Sequence, residues 1–417
     1  MADPSSDSVW STVLSRRRLL QATAALSVKV SMPAILGRAA AQAGGSDSLP
    51  LRGGEILPDP DFSLLRPKHP YLIGIRPHRV GGVRLELEPE PIASRWGPKF
   101  LIHNYGHGGA GITLSFGCAS VVADHVHTLL RAIGRTRRMS VAVIGSGVIG
   151  LTVASELRRR WPRLRITVYA KELDVRRTTS FKAAGQFEPS GIYEEYETDE
   201  GRNILADYLR RSRNRIVELG DASRWPHYGI AFRRNYTLNH RIPAFDTHTP
   251  LDVVPKPRTG TLPFRSLNVA GREYRTWLIN PTILLPRLVS DLKRSSVPFR
   301  RRMFTDVQSF AELRENIVIN CTGHGAKALV QDNQMLARRG HLVLLRRTLA
   351  KQFYFLSGGC ANYRTMYVFC RHRDIVIGGS VQDGNESELA NSDDDWVFRK
   401  IIENARNVFD GRPRQCM

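Results

Sequence analysis

Val141-Ala142-Val143-Ile144-Gly145-Ser146-Gly147-Val148-Ile149-Gly150 decides the fold of this chain. Four apolar residues read as a buried strand, and a Gly-x-Gly-x-x-Gly turn follows at once. Leu151 to Arg160 then patterns as an amphipathic helix, and Ile166-Thr167-Val168-Tyr169-Ala170 as a second buried strand. Strand, glycine-rich turn, helix and strand form the context in which this spacing binds a dinucleotide. Gly145 permits the tight turn, Gly147 lets backbone approach a pyrophosphate, and Gly150 lets the helix pack closely on the sheet. Val148 and Ile149 open the helix, whose free N–H groups and positive dipole end suit phosphate. The usual acidic residue at the end of the second strand is absent. Ala170 stands there, so Glu172 is expected to reach the ribose and Lys171 to lie over adenine or a phosphate.

The surrounding composition is that of a two-domain soluble enzyme: 417 residues, 42% hydrophobic and 24% charged. The net charge of +22 is unusual. It raises nucleic acid, anionic membrane and acidic substrates as partners. The basic residues are scattered, as in Arg158-Arg159-Arg160 and Arg210-Arg211-Ser212-Arg213, with no compact basic tail. No zinc-finger spacing or aromatic RNA-binding motif accompanies them, so no nucleic acid is expected. Five cysteines exclude a fully paired framework, although Cys360 and Cys370 can pair outside the cytoplasm. No metal-ligand spacing occurs, and no metal is predicted.

Ser15-Arg16-Arg17-Arg18-Leu19-Leu20-Gln21 is a twin-arginine motif, followed by a mildly apolar run and the small residues Ala39-Ala40-Ala41-Gln42-Ala43. This predicts a signal peptide and export to the periplasm or beyond. The run is too short to span a bilayer, so stable membrane insertion is not expected.

Three further segments name a family. Thr178-Thr179-Ser180-Phe181-Lys182-Ala183-Ala184-Gly185-Gln186-Phe187-Glu188-Pro189 sets hydroxyls beside small residues. His103-Asn104-Tyr105-Gly106-His107-Gly108-Gly109-Ala110-Gly111-Ile112-Thr113-Leu114 is a long glycine-rich string, and Arg76-Pro77-His78-Arg79 precedes Val83-Arg84-Leu85-Glu86. Together they resemble the D-amino-acid oxidases, FAD-dependent oxidoreductases. Asn316 to Gly323 resembles that family's late FAD-domain strand and turn, and Arg339-Gly340-His341 its Arg-Gly-Gln. Ala110 replaces a residue that is aromatic in some members.

The resemblance implies FAD as cofactor, contacted by Thr178, Thr179, Ser180, Ala183, Ala184, Gly185, Gln186 and Thr322. It also implies contacts from Gly108, Gly109, Gly111, Ile112 and Thr113, whose N–H groups face the flavin pyrimidine edge. It assigns the substrate carboxylate to the second arginine of the motif, Arg79, whose planar fork suits a bidentate pair. Tyr367 and Tyr363 are expected to bond that carboxylate or line the pocket, and the Gly109 carbonyl to bond the amino group. His107 is expected to make a structural hydrogen bond within its turn rather than act as a base.

In familiar members the Gly-x-Gly-x-x-Gly turn lies first and the other two motifs last. Here that order is rotated, as in a circular permutation, and Gly411-Arg412-Pro413-Arg414 echoes residues 74–79. The predicted architecture is α/β: a Rossmann-like FAD domain beside an α+β substrate domain with a mixed or antiparallel sheet. The expected segments are a signal peptide (1–43), linker (44–69), permuted motifs (70–136), FAD core (137–195), substrate domain (196–300), FAD-domain return (301–340), substrate domain (341–390) and C-terminal helix with tail (391–417).

The implied reaction is oxidative deamination of a D-amino acid by hydride transfer to flavin N5, giving imino acid, then keto acid and ammonia, with oxygen reduced to peroxide. The cofactor carries the hard chemistry and the protein supplies orientation. Three alternatives stay open: a dehydrogenase passing electrons to an acceptor other than oxygen, an enzyme for acidic D-amino acids, and a flavin-binding protein without catalysis. Oligomeric state is open as well.

Overall fold

Ser140–Ile144 is buried residue for residue, as a strand inside a parallel sheet must be. A computed structural model places it there. The structure describes residues 51, 56–133, 139–238, 243–267, 269–347, 355–360 and 363–410. The twin-arginine segment and the 411–414 echo lie outside these residues. So does the Cys360 side chain, and with it the Cys360–Cys370 pairing.

Strands, numbered in chain order, are β1 (Tyr71–Arg79), β2 (Arg84–Leu87), β3 (Phe100–Tyr105), β4 (Ser140–Ile144), β5 (Arg165–Ala170), β6 (Ile230–Leu238), β7 (Arg258–Thr261), β8 (Ala270–Ile279), β9 (Phe299–Arg301), β10 (Ile317–Asn320), β11 (Met335–Arg346), β12 (Phe355–Cys360), β13 (Tyr363–Cys370), β14 (Asp374–Gly378) and β15 (Gln382–Asp383). The longer helices are α1 (Gly111–Ile133), α2 (Val148–Arg160), α3 (Asp199–Glu218), α4 (Pro281–Arg294) and α5 (Ser392–Phe409).

Two sheets divide the strands. The smaller has the order β2-β3-β10-β4-β5-β9, parallel except for the edge strand β2. Its side chains alternate between two cores. Ile102, Val141, Val143, Ile166, Val168 and Ile319 meet the helical layer. Leu101, Ala142, Ile144, Tyr169 and Val318 meet Phe310, Leu313 and Leu329. α1 packs on both α2 and α3, and α2 on α4. The segment holding β3 and α1, which precedes the glycine-rich turn in sequence, is thus built into the same sheet and helical layer as that turn.

The larger sheet runs β1-β11-β14-β13-β12-β6-β8-β7, with β15 added on β11. Neighbours are antiparallel except β6 and β12. One face, with Ile73, Val343, Leu345, Val368, Ile375 and Ile377, is covered by Val397, Phe398, Ile401, Ala405 and Val408 of α5. The other carries Leu342, Leu344, Phe369 and Val376, with Leu72, Tyr367 and Ala184 against them. That second face looks toward the 183–186 segment.

The division of the chain differs in detail from the sequence expectation. β1 joins the large sheet although β2 and β3 join the small one, and β9, expected with the substrate domain, is an edge of the small sheet.

A buried ion cluster pins α5 to the large sheet. Arg339 NH2 donates to Asp394 Oδ2 at 2.8 Å, and the two side chains are 0% and 1% exposed. His341 Nε2 lies 2.8 Å from Asp394 Oδ1. Asp394 also closes the α5 capping box by accepting the Asn391 N–H at 2.7 Å. Asp394→Ala leaves Arg339 charged and unpaired in the interior and is expected to cost about 3–5 kcal/mol. Replacing Arg339 and Asp394 together by Met and Leu is expected to cost clearly less, and urea unfolding of the two variants checks this difference.

Candidate active site

The dinucleotide turn fits the reading of its glycines. Gly145 adopts φ +125°, and a Cβ there would fall 2.3 Å from the Cys321 carbonyl oxygen. At Gly150 a Cβ would fall 2.0 Å from the Gly145 carbonyl oxygen, so the first turn of α2 lies directly on the loop. Gly147 caps α2 without a side-chain bond. The N-terminus of α2 supplies a positive pole at this turn.

Beside it, several hydroxyls expected at the cofactor are engaged locally. Ser180 Oγ accepts the Val148 N–H at 3.1 Å, capping α2 from a distant segment. Thr178 donates to the Val175 carbonyl at 2.6 Å and caps residues 179–182, while Thr179 bonds Glu388. Thr322 Oγ1 donates to Asn320 Oδ1 at 2.8 Å. Glu172 accepts the Asp174 N–H at 2.9 Å and pairs with Arg177 at 3.1 Å. The backbone N–H of Asp174 and then Arg177 hold its carboxyl below the usual range. Lys171 is exposed, and its carbonyl accepts from Arg301. The Glu172 carboxylate, expected to reach the ribose, is thus already engaged within the protein.

The loops expected to face the flavin are tied together. Thr113 Oγ1 donates to the Glu188 carbonyl at 2.8 Å and accepts the Glu188 N–H at 3.0 Å, joining the start of α1 to the 183–188 segment. Ala183 accepts from Arg371 NH1, and the Gly185 carbonyl accepts the Ile279 N–H. Gln186 bridges to Leu278 at the end of β8. Gly108 and Gly109 lie so close to residues 190–191 that a Cβ on either would meet a backbone carbonyl at 2.7 Å. Gly111 and Ile112 begin α1 with N–H groups that the helix itself leaves free.

His107 departs from its expected role. It is fully enclosed, burial drives its pKa down to about 3, and its Nε2 has no hydrogen-bond partner within the protein. A neutral ring with an orphaned buried nitrogen in the flavin loop, beside the glycine cradle, is a site that FAD fits.

Arg79, expected to hold the substrate carboxylate, is engaged within the protein. Arg79 Nε donates to Asp332 Oδ2 at 2.8 Å, and its NH1 leans on the carbonyls of Val80 and Gly82. Asp332 also accepts from Tyr105 OH. Arg79 therefore braces the end of β1. The physical reason is strand alternation: residues three apart on β1 point to opposite faces. Arg76 lies on the other face, toward Gly109 and Gly340. Its guanidinium lies over Gly340, where a Cβ would fall 2.5 Å from both terminal nitrogens. NH1 donates to the Ser380 carbonyl at 3.1 Å, and Cδ lies 3.8 Å from where a Gly109 Cβ would be.

Tyr367 is brought to this arginine. Its ring folds over Gly378, with the hydroxyl 2.4 Å from a Cβ built there, and stacks on Phe369 at 4.7 Å. Burial raises the Tyr367 hydroxyl pKa, while the Arg76 charge and a hydrogen bond from Arg76 oppose that rise. Tyr363 opens β13, opposite Cys360 and a full turn of the pleat away, and its side chain lies outside the described residues.

Two polar groups escaped the sequence reading. Glu188 is buried between Tyr193 and Tyr274, and burial lifts its carboxyl to about 7. Its signal was an acid inside an otherwise small and apolar segment. His341 bonds Ser380 Oγ through Nδ1 at 2.8 Å, linking the Arg339–Asp394 pair to the residue whose carbonyl holds Arg76. Elsewhere, His78, Glu194 and Glu195 lie close together, yet Gly81 N–H and Arg338 already occupy the two carboxylates. Cys118 and Cys321 are buried free thiols whose pKa values are raised by desolvation.

Residues 140–416 match the model of the FAD dependent oxidoreductase (DAO) family. The chain belongs to that family. It is 24% identical over 299 residues to a D-amino-acid oxidase of Fusarium vanettenii, covering 66% of this chain and 80% of that one. It is 28% identical over 249 residues to a D-amino-acid oxidase of Streptomyces coelicolor, covering 58% and 70%. A human D-aspartate oxidase is 22% identical over 278 residues, covering 64% and 73%. Among solved structures, glycine oxidase from Geobacillus kaustophilus matches with a TM-score of 0.43 and 17% identity, covering 62% of this chain and 75% of that chain. The protein is thus an FAD-dependent oxidoreductase with an α/β fold.

Gly150→Ala places a methyl group inside the Gly145 carbonyl. The variant is expected to purify without bound flavin, read from the visible absorbance of the protein, and to melt at lower temperature.

Proposed function

We propose that the protein oxidises D-amino acids, with Arg76 and Tyr367 holding the substrate carboxylate. The observation that carries this reading is the pairing of a guanidinium and a tyrosine hydroxyl beside Gly109, on the large-sheet face that meets the flavin-facing loops. The arginine fork and the hydroxyl offer three donors to one carboxylate, which fixes the α-carbon in place. The Gly109 carbonyl, at the rim of the same site, is the acceptor proposed for the amino group. FAD, when bound, supplies the hydride acceptor and passes electrons to oxygen, giving peroxide. The imino acid then hydrolyses to keto acid and ammonia. No side chain of this chain needs to remove the α-proton, which agrees with a neutral, enclosed His107.

A second reading, preference for acidic D-amino acids, has one observation in its favour. The small cavity next to Phe369 is lined by Arg233, Arg234, Gln186, Asn235 and Thr276. Arg233 and Arg234 bring positive charge to its wall, the second paired with Glu273. A dehydrogenase that uses another electron acceptor is separated from an oxidase by peroxide yield under air.

The rotated chain order and export by the twin-arginine route belong to the same proposal. The first is supported by the place of β3 and α1 in the dinucleotide fold. The second is supported by the sequence motif alone. Fractionation of cells expressing the protein with and without an Arg16→Lys, Arg17→Lys change tests export.

Anaerobic addition of D-amino acids to the purified yellow protein is expected to bleach the flavin, whereas L-isomers leave it unchanged. A flavin that no D-amino acid bleaches overturns the reading. Arg76→Leu is expected to raise KM roughly 10- to 150-fold, the range for a hydrogen bond to a charged group. Arg79→Leu is expected to leave KM within a factor of about 3 and to cost about 1–3 kcal/mol of stability, because it strips Asp332 of its partner. Steady-state kinetics and thermal unfolding of both variants distinguish the two arginines.

A further inference from the structure

His103 stands at the centre of a polar relay that the function proposed above does not use. It lies on β3 between Glu86 of β2 and Asn320 of β10, each directly opposite it. Its ring Nε2 is 2.8 Å from Glu88 Oε1, and its Nδ1 is 3.3 Å from Asn320 Nδ2. Asn320 Oδ1 accepts the Thr322 hydroxyl at 2.8 Å and the Thr322 N–H at 3.2 Å. The turn held in this way abuts the Gly-x-Gly-x-x-Gly loop. Cys321 N–H donates to the Ile144 carbonyl at 2.8 Å, and the Cys321 carbonyl leaves no room for a Cβ at Gly145. His103 and Asn320 are both buried.

Donor and acceptor complementarity fixes the protons along this relay. A backbone N–H can only donate, so the Asn320 amide turns its oxygen to Thr322 and its NH2 to His103. His103 Nδ1 must then accept, and the one ring proton sits on Nε2, where the Glu88 carboxylate takes it. An imidazolium would set an N–H against the amide NH2. A flip of the amide would relieve that clash only by setting the NH2 against the Thr322 N–H. We propose that His103 is a positioning residue for the cofactor: with Nδ1 unprotonated it fixes the Asn320 amide and the 320–323 turn against Gly145, and its protonation loosens that turn and weakens FAD binding.

The groups around His103 keep it neutral at neutral pH. Burial and then the Arg84 charge push its pKa below the ordinary 6.5, while Glu88 and Glu86 oppose the fall. Tyr105 packs edge-on against the ring at 5.5 Å, and its hydroxyl donates to Asp332, which Arg79 pairs. Burial holds that hydroxyl neutral. In the turn that follows Thr322, His324 and Lys327 are paired with Glu386. By strand alternation His103 shares the face of Leu101 and points away from the helical layer that Ile102 meets. The sign follows. A histidine whose folded pKa is depressed contributes stability above its unfolded value of 6.5, and that contribution is lost as pH falls through the folded pKa. The same linkage governs FAD, which binds the neutral form more tightly.

FAD retention tests this independently of any substrate. Full-length wild-type, His103→Asn and Asn320→Asp holoenzymes are diluted at pH values from about 8 to about 4.5, and the Kd for FAD is read from the fluorescence of the freed flavin. His103→Asn sets an acceptor that cannot be protonated near the place of Nδ1. It is expected to match the wild-type Kd at the upper end of the range and to hold it on acidification, while the wild-type Kd rises roughly 5- to 150-fold more, the usual span of coupling between two sites. Asn320→Asp asks for an N–H at Nδ1 in place of a lone pair, so its FAD binding is expected to tighten as His103 takes up a proton. Parallel pH profiles of the wild type and His103→Asn overturn the positioning role. So does an Asn320→Asp protein that loses FAD on acidification as the wild type does, and this arm decides if His103→Asn does not fold. The wild type by itself is expected to release a proton on rebinding FAD below pH 6.5, measured by calorimetry in two buffers of different ionisation enthalpy. No release overturns the role whatever the variants do.

Discussion

The antiparallel pairing of β1 with β11 is the constraint on which the site depends. It sets Gly74 opposite Gly340 and Arg76 opposite Arg338. With no side chain at Gly340, the Arg76 guanidinium settles over the backbone of β11 instead of being pushed into solvent. A slip of one residue would send Arg76 to the α5 side, since strand side chains alternate with period two. The register is guarded from both faces. Ile73 is locked into the α5 core, and Leu72 into the core that meets Ala184.

The same strand explains why two arginines in one motif do different work. Arg79 ties β1 to Asp332 near the start of β11, and Asp332 is shared with Tyr105 of β3. One ion pair thus connects the large sheet to the dinucleotide sheet. Arg76, on the opposite face, is held by the carbonyl of Ser380, and Ser380 by His341 and the Arg339–Asp394 pair. A chain of polar contacts runs from the first turn of α5 to Arg76. Every member is paired, which is the condition under which a buried polar network specifies geometry instead of costing stability.

Much of this was legible in the sequence. The apolar runs at 141–144 and 166–170 fixed two strands to within a residue, and the glycine spacing fixed the turn between them, because a tight turn and a close helix approach leave no room for Cβ. The C-terminal helix expected within 391–417 is α5, Ser392–Phe409. The hydroxyl residues 178–180 were read as cofactor contacts because their type suits phosphate. Folded, Thr178 caps the 179–182 turn, Ser180 accepts the Val148 N–H at the start of α2 and Thr179 bonds Glu388, since nearby groups of the protein compete for the same hydroxyls.

The sequence by itself determined the dinucleotide fold, the family and the set of residues from which the site is drawn, because these follow from local periodicity and from glycine positions that backbone sterics dictate. Only the tertiary structure decided which arginine of the motif faces Gly109, that Glu188 is buried between two tyrosines, and that Glu172 is already engaged. Those outcomes depend on which face of a strand meets the other sheet and on which partners arrive from segments distant in the chain, Ser380 for Arg76 and Tyr274 for Glu188. No spacing within one segment records them.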